Sequence, residues 1–87
     1  MTNFGKAVKI IRIEKDSKAK DFAEFMGCTL SYVSAIENGK KPVTIKYLRK
    51  LIEYYSLSVD EINGLLDAIG LDYREKVRKK LLGKEEI

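Results

Sequence analysis

Apolar residues recur along this chain at intervals of three and four, a period near 3.6 that marks helices each burying one face. Phe4, Val8 and Ile11 form the inner stripe of a first helix beginning after Thr2 or Asn3, either of which can accept from its free N–H groups. Lys6, Lys9 and Lys15 fall outside that stripe. Asp16 and Ser17 break the pattern and are expected to cap a second helix. That helix carries Phe22, Ala23 and Met26 inward and ends at Gly27, where a tight exit calls for left-handed backbone. Thr29 reads as the cap of a third helix, with Val33 and Ile36 facing inward and Gly39 stopping it after Asn38. A basic loop over residues 39–43 follows, and Thr44 caps a fourth helix with the apolar face Ile45, Leu48, Leu51, Ile52 and Tyr55. Ser58 and Glu61 form a capping box for a fifth helix carrying Val59, Ile62, Leu65, Leu66 and Ile69, which Gly70 is expected to end. Asp72 and Glu75 form a second box, opening a final helix with Tyr73, Val77, Leu81 and Leu82 before Gly83; the last residues are expected to fray.

The pattern predicts an all-α, compact bundle of five to six helices. Residues 1–70 form the main unit and residues 71–87 a C-terminal helical extension. A chain of 87 residues supports one hydrophobic core, and a 45% hydrophobic content is enough to fill it. No apolar run spans a bilayer, and the N-terminus lacks the pattern of a secretory signal. The single cysteine, Cys28, rules out an internal disulfide and fits a reducing cytoplasm.

Histidine is absent, which excludes a Cys/His zinc site as well as Ser-His-Asp and Cys-His catalysis. The acids are scattered through helical stretches, so no metal site, cofactor, small-molecule ligand or enzymatic activity is expected. A net charge of +4 suits a polyanionic partner, although many solvated helical domains reach it too.

The second and third helices carry the sharpest signal. Ala23 sits where they cross, Gly27 turns the chain, and Val33 and Ile36 bury the inner face of the third helix against the second. At 100° per residue, Ser31, Ser34, Ala35 and Asn38 then point outward with Leu30 at the leading edge. Such a small polar face lets a helix enter a major groove closely, with hydroxyls for base edges or phosphates and Leu30 or Ala35 for a thymine methyl. An ordinary solvated helix face fits the same wheel.

With "DFAEFMG" in the second helix, "SYVSAIENGK" in the third and a proline-bearing loop before the fourth, the stretch from Phe4 to about Leu57 resembles the Cro and phage-repressor family of helix-turn-helix regulators. The resemblance implies a lambda-repressor-like fold and a double-stranded DNA operator as partner. It also implies a structural tie between Arg12 and Glu37, and DNA contacts from Lys18, Ala19, Leu30 and Ser31, with further base contacts at Ser34 and Ala35. Tyr32, Asn38, Lys40 and Lys41 fall where relatives touch the phosphate backbone. Leu30, Ser31 and Ala35 stand where some relatives carry longer amides or basic groups, which shifts specificity toward water, methyl contacts and DNA shape. Ser17 replaces a buried aliphatic residue, and the loop before the fourth helix is about one residue longer.

Lys18, Lys20, Lys40, Lys41 and Lys46 are expected near the DNA face, though surface lysines are individually often only solubilising. Cys28 reads as a buried spacer, with a redox switch as the alternative. Tyr54, Tyr55 and Tyr73 read as core-edge or interface residues rather than base-stacking platforms. Surplus apolar residues beyond Leu57 suit a symmetric homodimer. The basic amphipathic "YREKVRKKLLGK" raises surface association with a membrane, which Glu75, Glu85 and Glu86 argue against. The reading that follows is a cytoplasmic transcriptional regulator, a repressor of Cro or prophage type. The alternative is an antitoxin-like protein-interaction module using the last two helices.

Overall fold

A computed structural model describes residues 1–83 as five helices: α1 (Asn3–Glu14), α2 (Ala19–Met26), α3 (Leu30–Glu37), α4 (Ile45–Tyr55) and α5 (Val59–Leu81). The fraying expected of the last residues lies outside the described residues. α1 packs against α5 and α3, while α2 packs against α3 and α4. Phe22 is fully buried at the centre, with Tyr47 edge-on at 5.4 Å and Tyr55 stacked at 6.0 Å between ring centroids. Phe4, Val8, Leu51 and Leu65 close the core around these rings. Aromatic pairs in such tilted geometries contribute beyond their buried area, which helps a core this small.

The helix ends follow the sequence with two exceptions. Thr29, Thr44 and Ser58 each accept a hydrogen bond from the backbone N–H three residues on, as N-caps do. Asp16 and Ser17, expected to cap α2, do not. Asp16 takes the left-handed conformation that closes α1, and the Ser17 hydroxyl lies 3.1 Å from that of Tyr55. Lys18 is the residue that precedes α2, and its N–H donates to the Asp21 carboxylate at 3.1 Å.

The larger correction concerns α5. Gly70 does not end it; the helix runs unbroken for 23 residues, so the expected fifth and sixth helices are one. Asp72 and Glu75 therefore cap no new helix. They instead serve α1: the Asp72 carboxylate accepts from the N–H groups of Asn3 and Phe4 at 2.8 and 2.9 Å, and Glu75 accepts from the Asn3 amide at 3.4 Å. An acid at the positive end of a helix satisfies free donors and complements the helix dipole.

Two inner faces also differ from expectation. On α4 the buried positions are Tyr47, Leu51 and Tyr55, while Ile45 is exposed and Leu48 and Ile52 only flank the core. On α5 Leu65 and Ala68 are buried, whereas Val59 and Leu66 are exposed. Cys28 is half-buried against the core rather than enclosed. Among the described residues, no helix is long and apolar enough to cross a membrane.

Candidate nucleic-acid interface

The turn between α2 and α3 is built from Gly27, whose φ of 72° places it in the left-handed region. The N–H of Gly27 donates to Glu24 at 3.1 Å and that of Cys28 to Ala23 at 3.0 Å, so the end of α2 keeps its carbonyls paired. Ala23 at the crossing, and Val33 and Ile36 on the inner side of α3, are all buried. The inner face assigned from spacing is the inner face observed.

α3 is then fixed from its far end. Arg12 donates to both carboxylate oxygens of Glu37, at 3.0 and 2.9 Å, and the pair is nearly excluded from solvent. Burial alone would lower the Arg12 pKa, but the hydrogen bonds and charge of Glu37 outweigh it and leave the guanidinium above its ordinary value. The Glu37 carbonyl accepts from the hydroxyl of Thr2 at 2.8 Å and from its N–H at 3.2 Å. Gly5 permits this approach, because a Cβ there would collide with the same carbonyl. The two ends of α1 thus hold the last turn of α3.

What remains uncovered is the outer face of α3. Leu30, Ser31, Ser34, Ala35, Asn38 and Lys40 line one shallow open groove along it. Leu30 is half exposed, the two serines and Asn38 are exposed, and Ala35 is partly covered. The Asn38 amide donates to the Ser34 hydroxyl at 3.2 Å, which orients both polar groups. The N–H groups of Lys40 and Lys41 both donate to the Ala35 carbonyl, at 2.8 and 3.3 Å, folding the basic loop back onto the end of the helix. Short side chains here let the helix backbone approach another surface closely. The hydroxyl, amide and ammonium groups supply donors for oxygen acceptors.

Six of the ten residues assigned to this surface from sequence therefore share the groove. Lys18 is exposed at the start of α2, outside the groove. Ala19 and Tyr32 are partly buried against the core. Lys41 lines a neighbouring groove with Lys6, Lys76, Lys79 and Lys80. Sequence reasoning missed that second convergence. Its trace was the run of basic residues from Arg74 to Lys80, and nothing local says that this run returns to the loop after α3.

No curated protein and no solved structure gives a significant match to the chain. A family model described as helix-turn-helix matches residues 8–62, a span that holds α2, the Gly27 turn, α3 and the Glu37 partner of Arg12. With more than half its length in that match, the chain belongs to the Cro/C1-type helix-turn-helix family of DNA-binding regulators.

Proposed function

We propose that this protein is a sequence-specific transcriptional regulator that lays α3 in the major groove of a double-stranded DNA operator and represses in the manner of Cro and prophage repressors. The observation that supports it most is the uncovered, short-chained polar face of α3 on a helix capped at its start by Thr29 and tied to α1 at its end through Glu37. Leu30, Ser31, Ser34 and Ala35 read base edges and thymine methyls. Lys18, Ala19, Tyr32, Asn38, Lys40 and Lys41 meet the sugar-phosphate backbone. A cytoplasmic homodimer places two such helices about 34 Å apart, matching half-sites in successive major grooves.

A gel shift on DNA upstream of the gene, and on duplexes selected from a random pool, tests the reading. Salt-sensitive, sequence-selective binding is expected. Ser31→Glu combined with Ala35→Glu is expected to abolish it without changing the circular dichroism spectrum. Retained affinity in that double variant would show that α3 is not the reading helix.

The exposure of Leu66, Leu71, Tyr73 and Leu81 along α5 favours a second reading, an antitoxin-like module that binds another protein through this helix. Absence of any selective DNA binding at micromolar protein would favour it over the first.

A further inference from the structure

We propose that the C-terminal part of α5 is a second phosphate-binding element, with Lys76, Lys79 and Lys80 extending the DNA contact surface beyond the loop that follows α3. The inference rests on the DNA-binding reading above and adds to it a surface outside residues 8–62.

Three observations carry it. Lys76, Lys79 and Lys80 line one open groove of about 750 Å³ together with Lys41 and Lys6. Asn38 lines both this groove and the one along α3, and Lys40 and Lys41 lie one in each, so the two grooves adjoin at the loop that follows α3. The third observation concerns Asp72 and Glu75, the only acids lining this groove among the described residues. Asp72 accepts from two N–H groups of α1 and Glu75 from the Asn3 side chain, so both carboxylates are held against the start of α1. From Lys76 to its end at Leu81 the helix then carries four basic residues and no acid.

Five lysines against two carboxylates leave this groove with an excess of positive charge, which favours an anionic occupant. A polyanion with regularly spaced charges, following the path already set by Lys40 and Lys41, is the occupant whose chemistry fits. Such contacts position the duplex and carry no sequence preference of their own.

The test compares the full chain with a Lys76→Gln, Lys79→Gln, Lys80→Gln variant on a duplex selected by the unmodified protein, across a range of salt. Each phosphate contact contributes about 0.9 to the slope of log affinity against log salt, so the variant should lose about 2 to 3 from that slope. It should weaken on selected and random duplexes alike, with unchanged helicity and unchanged sedimentation. An identical slope in the two proteins would overturn the proposal. So would a slope change accompanied by a change in assembly, which would assign the lysines to a subunit contact. If the unmodified chain binds no duplex selectively while the Ser31→Glu, Ala35→Glu variant behaves identically, the DNA reading itself fails and this inference falls with it.

Discussion

Arg12 near the end of α1 and Glu37 at the end of α3 meet through two parallel hydrogen bonds in a site that water barely reaches. Removing one partner leaves the other charged and unpaired in a poorly solvated place. Arg12→Ala and Glu37→Ala should each cost about 3–5 kcal/mol in urea denaturation. The double substitution should cost much less than the sum, because it strands no charge. Additive losses would show two independent side chains. Arg12→Lys should fall between, since an ammonium cannot reproduce the fork.

The glycines of this chain should respond oppositely to alanine. Gly5→Ala drives a methyl group into the Glu37 carbonyl and should destabilise by about 1–3 kcal/mol. Gly64 and Gly70 lie inside α5 with open space where a Cβ would go. Alanine at either should stabilise by about 0.5–1 kcal/mol through helix propensity. Thermal melts of the three variants check this; a destabilised Gly70→Ala would argue for a break in α5 at that residue.

Asp72→Ala removes the acceptor for two donors at the start of α1 and should cost about 0.5–2 kcal/mol, in the range of a lost helix cap. Amide exchange should accelerate at Asn3 and Phe4 specifically. Unchanged exchange there would mean that the cap is not formed in solution.

Tyr47 is buried with a hydroxyl that has no hydrogen-bond partner among the described residues. Tyr47→Phe should therefore be neutral or stabilising by up to about 1 kcal/mol, since a desolvated group is removed and no bond is lost. Burial first, and the charge of Glu37 next, push the phenol pKa well above its ordinary value. A group raised on folding supports the native state fully below its unfolded pKa, near 10 for tyrosine, and progressively less as pH rises past it toward the folded value. The unmodified protein should thus lose stability above about pH 10 more steeply than the phenylalanine variant.

Glu61 at the start of α5 has its pKa lowered, chiefly by the N–H of Ser58, which donates to its carboxylate at 2.9 Å. A carboxylate lowered on folding supports the native state above its unfolded pKa and loses that support as pH falls through the folded one. Glu61→Gln should flatten the acid limb of the stability profile between about pH 5 and 3 while leaving its alkaline limb unchanged. An unaltered acid limb would rule out the capping bond as its source.

The parts legible in the sequence are those whose physics is local. Gly27 needs its left-handed backbone, and Thr29, Thr44 and Ser58 cap their own helices, so spacing alone located them. The inner faces of α2 and α3 followed from helical periodicity. The misread parts involve distant partners. Asp72 and Glu75 look like a helix start, yet their donors lie 68 to 72 residues away on α1. Gly70 looks like a stop, but the turns on both sides of it pack against or cap α1, and that outweighs a penalty of about 1 kcal/mol for an internal glycine. On α4, Ile45 suggested a phase for the apolar stripe that the bulkier Tyr47 overrode by reaching Phe4 and Phe22. The same long-range packing hid the groove shared by Lys41 and the α5 lysines.

Three consecutive residues at the start of α1 join parts of the molecule that sequence keeps apart. Thr2 holds the last carbonyl of α3, while Asn3 and Phe4 hold Asp72 of α5. This short stretch acts as a rivet between α3 and the C-terminal part of α5. The relative placement of the α3 face and the basic end of α5 is consequently set by the fold itself, so a partner that touched both would meet them already arranged.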